Sequence, residues 1–296
     1  MEIIKEQVKK KFYGHDTLYS KVEPIYPHGV EREYIRLVNA YMAEYKKVLV
    51  KNLAQIKKAI ISDRNLKAAL RLDDEFEIKQ LVEQLFKKMD EDMKHKPTIF
   101  GLRKKLENLA HLTRKLTIKE WKKVCKATLG VNIMDDYYLG EFYKQMINVW
   151  VDDNIGLIAS IPQDSLNEMK QIVQDGFATG ATIKEITKNI EYRYGVSKRK
   201  ARLLAVDQLA KLYADMSERQ QRDAGCTEYI WSTSRDQRVR DSHKALEGKK
   251  FDWNNPPIVD AKRGRRCHPG KDYACRCVAI PVFKYANIKL PIQEGK

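Results

Sequence analysis

Three observations predict a mainly helical chain that ends in a small α+β module. Stretches with apolar residues every three or four positions fill the chain up to about Ala224. After Ala224 the pattern changes to short aromatic or β-branched segments punctuated by proline and glycine. Charged residues make up 32% and apolar residues 43% of the chain, a balance that suits a helix-rich globular protein. With 296 residues, two domains and a substantial core are within reach.

Residues 1–30 read as an arm, because Pro24, Pro27 and Gly29 interrupt regular structure. From Glu31 to about Ile61, a helical stripe runs through Tyr34, Val38, Tyr41, Tyr45, Val48, Leu49 and Leu53, and Ser62-Asp63 is expected to break it. A second helix is expected around Glu75 to Lys94, with Leu81, Leu85 and Met89 on one face and Pro97 ending the segment. Thr98 and Thr117 each precede an amphipathic run and suit N-caps, and Thr117 to Glu120 has capping-box spacing. Asp135 to Ala159 reads as a tyrosine-rich helix with Phe142, Met146, Val149 and Trp150 on one side. Ile161-Pro162 is expected to begin the next helix, and Thr182 another that Gly195 closes. Ser197 to Asp223 completes the series, with Ala205, Leu209, Leu212, Tyr213 and Met216 on its core face.

Beyond Ala224, Tyr229-Ile230-Trp231 suits a half-buried strand. Asp236 to Leu246 reads as a short helix stopped by Gly248, and Lys250 to Trp253 and Val278 to Phe283 read as strands. Pro256-Pro257 and Pro269-Gly270 break the loop between them. A module of about sixty residues is marginal on its own core, so it should pack on the preceding helices or carry a staple.

The order of residues in this module resembles the C-terminal signature of the phage head morphogenesis family, minor head proteins similar to Mu protein F. That order is an aromatic strand with Trp231, then Asp236-x-x-Val239-Arg240, His243 and Leu246-x-Gly248-Lys249. A proline-broken loop follows, then Pro269-Gly270-x-Asp272 and Cys275-Arg276-Cys277. The resemblance covers roughly the last quarter of the chain, with a looser helical likeness from about Ser160. The long amphipathic segments suggest a helical docking region over 31–160, and the resemblance implies the helical part of a head morphogenesis domain over 161–225, the signature module over 226–285 and a tail over 286–296. It further implies a non-enzymatic minor capsid protein of a tailed phage or prophage, carried in the virion at the head interior or portal vertex. Its expected partners are the portal protein and capsid or scaffold components, and its expected role is to assist assembly and DNA packaging or delivery. In that reading Trp231, Asp236, Arg238, Arg240, His243, Gly248, Pro269, Gly270, Asp272, Cys275, Arg276 and Cys277 maintain the module rather than catalyse.

The staple has three readings. His243, Cys267, His268, Cys275 and Cys277 offer donors for a tetrahedral zinc site, although a single residue between two cysteines is not the usual knuckle spacing. A disulfide is the second reading, and small buried packing residues the third. No cofactor is required by any of these, zinc being the one metal to consider. Cys125 and Cys226 read as isolated packing residues.

The formal charge of +16 favours nucleic acid or another polyanion, and with no base-reading motif in the sequence the expected nucleic-acid partner is double-stranded DNA without sequence preference. Most basic runs should be solvated helix faces, but Lys198-Arg199-Lys200, expected to open a helix after Gly195, and Lys262, Arg263, Arg265 and Arg266 on a glycine-bearing loop are candidates for DNA contact. The runner-up is a metal-dependent nuclease built on His243, Asn254 or Asn255, and His268. No run approaches the roughly eighteen apolar residues of a membrane span, and MEIIKEQVKKKF lacks a secretory core, so assembly in a host cytoplasm is expected.

Overall fold

The computed structural model describes residues 2–70, 76–134 and 140–290. The chain is mainly helical, with short strands gathered toward its C-terminus, as expected. The helices are α1 (Glu2–Phe12), α2 (His28–Leu70), α3 (Phe76–Lys94), α4 (Lys96–Ile99), α5 (Leu102–Leu129), α6 (Glu141–Ala178), α7 (Ile183–Asp223) and α8 (Asp241–Lys244). The strands are β1 (Thr17–Tyr19), β2 (Glu228–Ser232), β3 (Lys250–Asp252), β4 (Ile258–Asp260), β5 (Arg265–Arg266) and β6 (Val278–Lys284). Glu75 and residues 135–139, where two helices were expected to open, lie outside the described residues. Two compact units emerge: a helical one of Tyr34–Leu106 and Val151–Ala205, and a mixed one of Met1–Glu33, Glu107–Trp150 and Val206–Lys296.

In the helical unit, the α2 stripe buries Tyr34, Val38, Tyr41, Tyr45 and Leu49 as its periodicity predicts. Two of these phenols find acceptors: Tyr34 donates to Asn154 Oδ1 at 2.6 Å and Tyr45 to Met169 Sδ at 3.4 Å. In α3 the buried stripe is Val82, Leu85, Phe86, Met89 and Met93, so Leu81 is displaced to the rim.

Several expected breaks do not occur. Ser62-Asp63 lies inside α2 because both residues cost a helix less than about 1 kcal/mol. Thr98 lies inside α4 and caps no helix. Pro162 sits within α6, so residues 160 and 161 share one continuous helix. An interior proline costs about 3 kcal/mol, offset here by burial of Ile158, Ile161, Leu166 and Met169 around it. Gly195 is likewise interior to α7, which places Ser197 to Lys200 in mid-helix, with Ser197 Oγ donating to Arg193 O at 3.2 Å. The start of α7 is as expected. Thr182 Oγ1 accepts the Glu185 N–H at 3.2 Å and Glu185 Oε2 accepts the Thr182 N–H at 2.8 Å, a capping box.

The mixed unit centres on a four-stranded antiparallel sheet ordered β1-β6-β2-β3, with β4 and β5 forming a separate ribbon. The expected arm carries regular structure: β1 pairs with β6 at Thr17↔Lys284, and α1 packs Val8 and Phe12 beside Trp121, Cys125, Cys226 and Phe283. Ile288 and Leu290 of the expected tail join the same cluster. Thr117 is buried inside α5, where its Oγ1 donates to Thr113 O at 2.6 Å, so it caps nothing. The buried face of the first turns of α6 carries Tyr143, Ile147 and Trp150, while Phe142 and Val149 are exposed.

The module therefore packs on helices, as its size demands. Gly225, at φ +85°, turns the chain from α7 into β2, and a Cβ there would lie 1.7 Å from Asn287 O. The expected helix from Asp236 shrinks to α8, because Asp236 Oδ1 accepts the Arg238 N–H at 2.9 Å in a turn that competes with helix.

Candidate functional site

Three of the signature residues, Trp231, Cys275 and Cys277, lie in a second cluster of the mixed unit, buried together with Tyr229, Trp253, Val259 and Ala279. Arg240 is extended and Asp241 begins α8, which delivers His243 inward as the buried residue of that short helix. The loop from Lys271 to Cys277 arrives from the other direction. Ala274 takes a left-handed conformation at φ +48°, and its N–H donates to Asp207 Oδ1 of α7 at 2.8 Å. That turn brings Cys275 and Cys277 in from one short segment, with the Cys277 N–H donating to Cys275 Sγ at 3.4 Å.

His243 Nε2 lies 3.0 Å from Asp272 Oδ2, and because a carboxylate can only accept, Nε2 carries the proton. Nδ1 is left facing Cys275 Sγ at 3.5 Å and Cys277 Sγ at 3.6 Å. The donor atoms of His243, Cys275 and Cys277 all lie within 4.8 Å of one another. His243 is 2% exposed and Asp272, Cys275 and Cys277 are each 3% exposed, while Trp231 meets the imidazole edge-on at 5.3 Å.

The electrostatics follow from this packing. The hydrogen bond from Cys277, with support from His243, pulls the Cys275 thiol down against its burial, and the same contact together with burial pushes Cys277 up. Burial lowers the imidazole of His243, but its contacts with Cys275 and Asp272 outweigh that and leave it raised. Cys267 is pushed up to about 12 by burial.

Asp272 faces outward as well. Its carboxylate accepts from Arg240 Nη1 at 3.2 Å and forms an ion pair with Arg265 Nη2 at 3.1 Å. Both arginines, with Lys262, Arg263 and Tyr273, line an open hollow of about 640 Å³ beside the β4–β5 ribbon. Arg276, between the two cysteines, forms a bidentate pair with Glu31 at 2.6 and 2.7 Å, and Tyr26 donates to the same carboxylate at 3.0 Å.

Asp236 holds Arg238 at 2.7 Å, Gly248 turns at φ +73° and donates its N–H to Trp231 O at 2.9 Å, and Pro269 is buried. Gly270, at φ +80°, lies so close to α7 that an added Cβ would be 2.8 Å from the Ala214 methyl. Cys267 packs against the buried cluster, while His268 turns away to Tyr229 Oη at 2.8 Å and the Trp253 ring. Asn254 accepts from Arg222 and Asn255 from Arg266, so the nuclease candidates have separate partners. Lys198, Arg199 and Lys200 are exposed on α7 in the helical unit, Lys200 pairing with Asp164 at 3.1 Å. Glu31 and Asp207 were not read as site residues. Asp207 had a signal, an acid set among Ala205, Val206 and Leu209 on the apolar face of a helix.

Over 139 residues the chain is 34% identical to an uncharacterized protein of Haemophilus influenzae. The match takes in 47% of this chain and 30% of that relative, so the chain spans about a third of the relative's length. No solved structure matches the chain significantly. Residues 167–280 match the model of the family described as Phage Mu protein F like protein. Over that stretch, which contains α7, the sheet strands β2 and β3 and every residue of the buried His–Cys cluster, the chain is similar to the Phage Mu protein F like family.

Proposed function

We propose that this chain is a non-enzymatic minor head protein of a tailed phage or prophage, which joins the portal-proximal head and assists DNA packaging or delivery. The observation that carries the reading is the family match over residues 167–280, which takes in the whole signature cluster. The charge of +16 supports contact with packaged DNA, and the exposed Lys262, Arg263 and their neighbours around the hollow offer cations for its phosphates. The helical region of 31–160 supplies the contact with the portal, and capsid or scaffold components are the further partners.

A nuclease is the weaker reading. His243 is buried and held by Asp272 and the cysteines, an arrangement that serves packing or ligation better than proton abstraction from water. The test is co-expression of the full chain with the portal protein of its own gene cluster, followed by isolation of assembled heads. Recovery of the chain with portal and heads is expected. Its exclusion from both would overturn the proposal, as would magnesium- or manganese-dependent plasmid nicking that disappears in a folded His243→Ala variant.

A further inference from the structure

We propose that the mixed unit binds a single zinc ion through His243 Nδ1, Cys275 Sγ and Cys277 Sγ, with Asp272 fixing the imidazole. The geometry is specific. Tetrahedral zinc with a sulfur at about 2.3 Å and a nitrogen at about 2.0 Å separates the two ligands by about 3.5 Å. The two sulfurs stand 3.5 and 3.6 Å from the one nitrogen. A lone pair on Nδ1 accepts one thiol hydrogen, and the hydrogen bond between Cys277 and Cys275 ties the second sulfur to the first rather than to the nitrogen. A shared cation would hold both sulfurs to the nitrogen.

The surroundings agree with ligation. Asp272 takes the proton on Nε2, which fixes the tautomer that leaves Nδ1 free to ligate, the carboxylate–histidine arrangement common behind zinc. All three ligand residues are at most 3% exposed, and two thiolates with an imidazole select a soft or borderline cation over magnesium or calcium. Cys267 packs against the same cluster, but its sulfur does not join the three donors that lie within 4.8 Å of one another. The ion would also tie α8 to the Lys271–Cys277 loop, the staple that a module of about sixty residues needs.

The full chain, expressed with zinc and dialysed, should carry one zinc per chain by elemental analysis. Cys277→Ser and His243→Ala should lose it, while Cys125→Ser, in a different cluster, should keep it. Asp272→Asn acts on the ligand's position and should weaken zinc roughly 10- to 100-fold. Because ligand variants can fail to fold, the parent chain is also loaded with cobalt, where visible bands of tetrahedral cobalt and sulfur-to-metal charge transfer are expected. Absence of zinc from the parent together with a featureless cobalt spectrum overturns the proposal. So does equal zinc loss in Cys125→Ser and Cys277→Ser, or a parent mass showing Cys275 and Cys277 joined as a disulfide.

Discussion

Glu31→Gln should cost more stability than any surface charge in the chain. Glu31 lies in the first turn of α2 and meets Arg276 across a separation of 245 residues, through two hydrogen bonds of 2.6 and 2.7 Å. The side chains are 8% and 9% exposed, so water does little to replace either partner. Removing one member of a buried pair costs about 3–5 kcal/mol, and the isosteric amide places this change near 3 kcal/mol. At roughly 2–4 °C per kcal/mol for a unit of this size, the midpoint should fall by about 6–12 °C. All four tryptophans lie in the mixed unit, so urea unfolding followed by their fluorescence reads that unit directly. Arg276→Gln should cost at least as much, because among the described residues it leaves the buried carboxylate hydrogen-bonded by Tyr26. The double variant should then reveal a coupling of about 2 kcal/mol or more. A loss below about 1 kcal/mol for Glu31→Gln, or additive single variants, would refute the pairing as a stabilising contact.

Gly225→Ala should abolish folding of the mixed unit, since its Cβ would sit 1.7 Å from a backbone oxygen; native tryptophan fluorescence in that variant would contradict the turn. Ala274→Gly should instead stabilise by about 0.5–1 kcal/mol in urea, because it relieves a left-handed alanine, and any loss counts against that strain. DNA affinity should fall at least about tenfold between roughly 50 and 200 mM salt, and Lys262→Ser with Arg263→Ser should weaken all duplex sequences alike; a flat salt response refutes phosphate contact. Thr182→Ala should speed amide exchange at the start of α7. The Thr182 hydrogen bonds hold the Glu185 carboxyl below its usual range, so their stabilisation is full above the unfolded value and fades as pH falls through the folded one. A Thr182→Ala effect that grows toward acid pH would refute the capping box.

What the sequence made legible, and what it did not, divides by the range of the interaction. The helix start at Thr182 and the core face of α7 depend on neighbours three or four positions away and are legible in the sequence, whereas the capping-box spacing at Thr117 to Glu120 falls inside α5 and the box that forms joins Thr182 to Glu185. Pro162 and Gly195 were misread as boundaries because burial along α6 and α7 outweighs a local penalty of about 1–3 kcal/mol. β1 was invisible, for Thr17 to Tyr19 is strand only because β6 lies beside it. At the site, residue types were legible and partners were not. Cys275 and Cys277 looked too closely spaced for a common zinc motif, and no spacing rule anticipates Ala274 turning left-handed against Asp207 so that both sulfurs reach one imidazole.

Asp272 explains why the buried cluster and the basic hollow occur together. One carboxylate that is 3% exposed receives His243 from inside and Arg240 and Arg265 from outside. A buried carboxylate without such partners would neutralise itself or destabilise the loop by several kcal/mol. With them, it fixes the imidazole and holds two guanidinium groups along a hollow where like charges would otherwise repel. Asp260 works beside it, 3.6 Å from Arg265 and 3.9 Å from Arg263. The cations left most free for a phosphate are therefore Lys262 and the outer edge of Arg263, while Arg265 serves mainly to connect the hollow to the core. A polyanion bound there would press on the same carboxylate that orients His243, so the chemistry of the interior and the charge of the surface meet at a single residue.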